Sequence, residues 1–238
     1  MEGMISAKDM KKEEEFKAII YGIAGSGKTH LMKYMPRPLV ILDLDNKVHP
    51  LMGEDDIYVL PFHLKDANEA RAMIPKVWRA VKDLQKEEDI KTIVLDSITA
   101  LDRMVFRWAM LSAGKKADDK GTLPIFGDMK RWYTTFFPML NNINKNVVLL
   151  AHEQHKEDDG TLLSIRPYVT GSIGDELSSI FPNTFNLEYI GGAKERWRLY
   201  YRKRQKYVSS SSIISEGVGY VEYGRNEDGL QAILKMVK

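Results

Sequence analysis

The sequence predicts an α/β fold: a mainly parallel central sheet with helices on both faces and extra antiparallel strands near the C-terminus. Three observations carry this. Residues 22–29 read Gly-Ile-Ala-Gly-Ser-Gly-Lys-Thr, a complete G-x-x-x-x-G-K-T pattern between an apolar run and a helix-like segment. That strand–loop–helix setting is what the pattern requires. Short apolar runs recur between helical stretches and end in acid, Pro38–Asp43 and Lys91–Ser97, as buried parallel strands do. Beyond residue 183 the spacing changes to alternation, which marks later strands added to the same sheet.

Taken in order, residues 1–15 are a polar lead-in with the charged run Lys11, Lys12, Glu13, Glu14, Glu15. Residues 16–238 read as one domain. Phe16–Tyr21 is a strand, and Thr29–Met35 is helix-like. Residues 66–88 have helical spacing, with Pro75 expected to kink or split them. A helix is predicted over Leu101–Leu111. Ser112–Gly127 is polar, bears glycines and contains Pro124, so it reads as a loop. Asp128–Asn144 returns to helical spacing, with Pro138 as a defect. Asn146–His152 is another buried strand. Glu153–Pro167 is polar, and Asp158-Asp159-Gly160 is a turn signal. Ser172–Ile180 forms a short helix. Thr184–Ile190 and Arg196–Lys203 alternate as strands, with Gly191-Gly192 as the turn between them. Residues 205–238 carry no clear pattern.

Composition narrows the function classes. The chain has 238 residues, 44% hydrophobic and 29% charged, as in ordinary globular proteins. A net charge of +2 gives no whole-chain field demanding nucleic acid, so any basic surface is local. With no cysteine, disulfides and cysteine-based zinc sites are excluded, which fits a reducing cytoplasm. No apolar stretch approaches a membrane span, and the first residues are unlike a signal peptide.

The loop sets up the chemistry. Its glycines let successive backbone N–H groups turn inward around a polyphosphate, and the helix starting near Lys28 adds its positive end. Gly22, Ala24, Gly25, Ser26, Gly27, Lys28, Thr29 and His30 form the candidate nucleotide-binding set. Lys28 would sit between the β- and γ-phosphates, and the Thr29 hydroxyl would ligate Mg²⁺. Asp96 closes a strand at the place of the second acid, where it would hold the Mg²⁺ shell. Asp96 and Ser97 also precede a helix, and either could cap it. Asp45, with Asp43 second, is the candidate base for the water attacking the γ-phosphate; either could instead cap its loop. His152, at another strand end, could sense the γ-phosphate or be a satisfied half-buried polar residue. Arg202, Lys203 and Arg204 form a basic cluster that suits an arginine finger, a phosphate-backbone contact or solvated surface.

Ile41–Asp45, Thr92–Leu101 and Val148–Glu153 resemble the successive core strands of RecA-like P-loop ATPases. The similarity is to compact phage-encoded members of the single-strand annealing type, from about Phe16 to Arg204. The resemblance implies ATP with Mg²⁺, hydrolysis, single-stranded DNA as partner and homo-oligomers with shared nucleotide sites, in a host cytoplasm. It assigns the catalytic base to Asp45, one methylene shorter than the family's glutamate, which implies slow hydrolysis. His152 stands where recombinases carry glutamine. Arg202 and Arg204 match a basic pair reaching a neighbour's nucleotide. Two DNA-facing loops correspond to about Ser112–Gly127 and Glu153–Thr170. They carry Lys115, Lys116, Lys120, Lys156 and Arg166, along with Asp118, Asp119, Glu157, Asp158 and Asp159. A regulator or loader acting through protein partners is the alternative function. A small-molecule kinase would bring an arginine-rich lid, and none is visible. A GTPase is disfavoured because Asn46-Lys47-Val48-His49 lacks the aspartate that reads guanine. The base of the nucleotide rests on the resemblance alone.

Overall fold

The structure is a computed structural model and describes residues 15–191, 195–212, 214 and 217–224. Most of the polar lead-in, Gly192 of the predicted turn and the last stretch of 205–238 lie outside the described residues. The first strand, β1 (Lys17–Gly22), is buried along its whole length. It is followed by α1 (Lys28–Leu31), β2 (Leu39–Asp43), β3 (Ile57–Pro61), α2 (Ala70–Leu84), β4 (Thr92–Asp96) and α3 (Ile98–Ser112). Next come α4 (Leu123–Asn141), the hairpin β5 (Asn146–Asp158) and β6 (Thr161–Pro167), α5 (Ile173–Ile180), β7 (Asn183–Tyr189), β8 (Arg196–Tyr200), β9 (Ser210–Ser211) and β10 (Tyr220–Gly224).

The sheet order is β10-β8-β7-β1-β5-β4-β2-β3, with β6 attached to β5 and β9 to β7. The stretch from β7 to β3 is parallel, and β8, β9 and β10 join antiparallel. This is the mainly parallel α/β sheet, with antiparallel strands added near the C-terminus, that the sequence predicts. Alternation along β1 feeds two cores. Ile19 and Tyr21 join the cluster beneath α2 to α5, while Ala18 and Ile20 face the one beneath α1. Fully burying an isoleucine such as Ile19 or Ile20 is worth about 1.5–3 kcal/mol, so the strand is anchored from both layers.

Several boundaries differ from the sequence expectation. The helix after the phosphate loop is one α turn, continued as a 3₁₀ turn over Met32–Tyr34. Met35 is extended because Pro36 follows it. The α2 helix runs through Pro75 without splitting. The proline removes one backbone hydrogen bond, and burial of Ile74, Val77, Val81 and Leu84 outweighs that loss. Pro124 does not break a loop; it occupies the first turn of α4, where its missing N–H has no partner to lose. Glu153–Pro167 is no open loop but most of a β-hairpin, turning at Asp159 (φ 45°) and Gly160 (φ 74°). Two adjacent left-handed residues are what a tight hairpin turn demands. Among the described residues, no helix is long and apolar enough to cross a membrane.

Candidate functional site

The parallel strands end together, and their register brings the polar residues into one place. Gly22 pairs with His152, and Asp43 pairs with Asp96. The loop after β1 is shaped by close neighbours. A side chain at Gly22 would collide with the Leu187 carbonyl of β7. Gly27 has φ 88°, and a Cβ there would lie 3.1 Å from the Trp197 indole nitrogen. The loop therefore needs glycine both for its left-handed turn and for the strands pressed against it.

Lys28 is almost wholly buried. Its ammonium donates to the Gly22 carbonyl at 3.0 Å and the Ile23 carbonyl at 2.8 Å. Burial lowers its pKa to about 8, against the pull of Asp96, Glu153 and Asp45. Thr29 donates its hydroxyl to Asp96 Oδ2 at 2.6 Å. Burial raises the Asp96 carboxyl to about 6, opposed by the Thr29 hydrogen bond and reinforced by the charges of Asp45 and Asp43. Asp45 Oδ2 accepts from Ser97 Oγ at 2.8 Å and lies 3.4 Å from His152 Nε2. Its burial favours the neutral acid, but the hydrogen bonds from His152 and Ser97 outweigh that and hold the carboxyl below its ordinary range. Asp43 is buried and accepts the Lys47 backbone N–H at 3.4 Å.

Ser97 caps α3, accepting from the Ala100 N–H at 3.2 Å. The same hydroxyl donates to Asp45, so the cap also orients the candidate base. Thr99 accepts the His152 backbone N–H at 3.0 Å and donates to the Tyr168 carbonyl at 3.1 Å. His152 is thereby fastened to the segment after β6. Lys28, Thr29, Asp45, Asp96, Ser97 and His152 line a cleft of about 340 Å³ together with Ala24, His30, Lys47 and Pro50.

The fold thus brings together Lys28, Thr29, Asp96, Asp45 and His152. It does not bring Arg202 or Arg204 into the cleft of their own chain. After Tyr200 the backbone runs away from the loop's edge of the sheet. Arg204 reaches back to Glu188 at 3.0 Å, and its guanidinium lies 4.0 Å from the Tyr200 ring centroid and 4.6 Å from that of Tyr207. Arg202 is exposed. Of the two expected DNA-facing segments, residues 113–122 of the first are a charged loop, whereas most of the second is a β-hairpin. Lys156 pairs with Asp175 at 3.0 Å, and buried Arg166 pairs with the same carboxylate. Lys116 and Lys120 are exposed beside β-turn acids, and Lys115 Nζ approaches Thr122 Oγ1 at 3.4 Å. Sequence reasoning missed Trp197 and Thr99. Neither carries a local signal, because each acts across more than fifty residues.

The donor set fits a Mg²⁺ nucleotide. A hydroxyl and a carboxylate in contact, with few other ligands, suit an ion that keeps most of its shell from water and phosphate. Among the described residues no cluster of three or more histidines and acids competes as a metal site. A P-loop cleft at the strand ends of a mainly parallel sheet defines a P-loop nucleotide-binding domain. The chain belongs to the AAA domain family, whose model matches residues 14–212. No curated protein matches the sequence. Among solved structures, the flagellar accessory protein FlaH from Methanocaldococcus jannaschii is similar at 10% identity and a TM-score of 0.41, over 92% of this chain and 88% of that one.

Proposed function

We propose that this chain hydrolyses ATP with Mg²⁺ and acts on single-stranded DNA, in phage-type recombination or annealing, as a homo-oligomer with shared nucleotide sites. The observation that carries the reading is the meeting of Lys28, Thr29, Asp96, Asp45 and His152 at one sheet edge. Bound Mg²⁺ supplies charge neutralisation at the phosphoryl oxygens. Thr29 and Asp96 would hold its shell, and Lys28, now on its loop carbonyls, would neutralise the phosphates. Asp45, kept ionised by Ser97 and His152, takes the proton of the attacking water. A base held below the ordinary carboxyl range is a weak one, which agrees with slow hydrolysis. His152 touches that base and is bonded through Thr99 to Tyr168, a route from the nucleotide to the segment after β6. Arg202 supplies the charge to a neighbouring copy; Arg204 holds the segment that carries it.

The alternative, a nucleotide-dependent regulator or loader working through protein partners, has one observation in its favour. The hairpin cations Lys156 and Arg166 are already neutralised by Asp175. ATPase rate and particle size, each measured with and without single-stranded DNA, separate the two. The DNA reading expects stimulated turnover, larger assemblies and affinity that falls with salt. Turnover and size blind to several strand lengths at low salt would favour the regulator.

A further inference from the structure

The chain has four tryptophans, and three of them surround one surface groove. Trp78 comes from α2, Trp108 from α3 and Trp132 from α4, over a floor that includes Ile74 and Pro75. The groove has a volume of about 490 Å³, larger than the nucleotide cleft. It lies on the outer side of the helical layer, with no residue in common with that cleft. All three rings are only half-buried. Tryptophan is costly to leave in water and is concentrated where proteins bind one another.

Its rim is cationic. Arg79 and Lys82 stand one helical turn apart on α2, both exposed, and no carboxylate lines the groove. Neither cation has a carboxylate partner among the described residues. Lys82 instead sits 5.9 Å from the Trp78 ring centroid, and the adjacent Asp83 pairs with Lys86. An apolar trough with an unneutralised positive rim complements an apolar anchor flanked by acids.

The ring geometry favours a peptide over a nucleic acid. Stacked bases need open aromatic faces and a track of cations along the strand. Trp132 is already stacked on Phe136 at 4.3 Å between centroids, and Trp78 meets Trp132 edge-on at 5.6 Å with Lys82 over its face. What these two rings leave is edges and aliphatic floor, suited to a leucine-, isoleucine- or phenylalanine-like side chain.

We propose that the groove between α2, α3 and α4 is a docking site for an acidic segment of a partner protein, with an apolar side chain seated among Trp78, Trp108 and Trp132. The site is separate from the nucleotide cleft, so its test does not depend on the reading of that cleft.

The test pans the full-length chain against displayed random short peptides. Binding of selected synthetic peptides is then followed by tryptophan emission. The winners are expected to combine Asp or Glu with a large apolar residue and to shift the emission to the blue. Arg79→Glu/Lys82→Glu changes only exposed side chains, so the fold and ATP binding should persist. It should weaken acidic peptides by roughly tenfold or more and select basic-apolar ones instead. Three results would overturn the proposal. One is a failure to enrich acidic-apolar peptides. Another is equal binding of the winners to the charge-reversed protein. The third is their displacement by oligothymidylate or by a second copy of this chain.

Discussion

Lys28 is the residue on which the nucleotide reading turns. Its buried ammonium is satisfied by loop carbonyls, so replacing it removes a charge without opening a core. Lys28→Ala should keep the native circular dichroism and lower turnover by at least about a hundredfold, the scale for losing a group aimed at developing charge. Parental turnover at saturating ATP would sink the assignment. Asp102 tests a different kind of burial. It accepts from Tyr133 OH at 2.7 Å and from the Thr170 hydroxyl at 2.6 Å, joining α3, α4 and the segment before α5. Burial raises its pKa, although the bonds from Thr170 and Tyr133 oppose the rise. A raised carboxyl binds more protons in the native state than in the unfolded one. This group's contribution to stability is therefore fully present below the unfolded carboxyl value of about 4, and is lost as pH rises through the native value. Asp102→Asn abolishes that titration. Its stability relative to the parent should improve as pH climbs above about 4, as urea denaturation at successive pH values would show. A constant difference across pH would mean that Asp102 titrates alike in both states.

The elements show what was legible in the sequence. The loop and the strand ending in Asp96 are written in consecutive residues, so both could be read directly. The prolines are less legible, because their effect depends on where in a helix they fall and on what the helix buries. In α2 the buried stripe holds the helix together past Pro75, and in α4 the proline starts the helix. In the hairpin of β5 and β6 the turn at Asp159-Gly160 is legible, but the strands on either side are polar and give no sign of their pairing. Ser97 is legible as the cap of α3, but its bond to Asp45 is not; that bond, Thr99 and Trp197 act through partners remote in sequence, which no local spacing announces. Trp197 makes a prediction possible at this scale. Gly27→Ala forces a side chain into a left-handed residue and against the indole at 3.1 Å. It should destabilise the fold by about 1–2 kcal/mol and weaken nucleotide binding, measured by denaturation and by titration of a fluorescent ATP analogue. A variant that keeps both parental values would show that the loop can re-form with β8 displaced.

At the scale of the molecule, the cleft and the basic pair belong to different parts of the surface. If Arg202 completes a neighbour's site, specific activity should rise with protein concentration. Mixing Arg202→Ala with Lys28→Ala protein should restore turnover at interfaces that pair an intact loop with an intact arginine. Mixtures that co-assemble yet stay inactive would remove Arg202 from the chemistry and leave the cleft assignment standing. The sheet order has a further consequence, which concerns time rather than space. The first strand of the described sheet to be made, β1, lies between β5 and β7, and its partners run from Ala18↔Asn183 to Gly22↔His152. The phosphate loop is thus made before the strands β5 and β7 that flank it. Pairings so distant in sequence form slowly, and until they form the two apolar faces of β1 stand open to other chains. Nucleotide binding by this protein is therefore a report that β1 has found partners as far along the chain as Asn186.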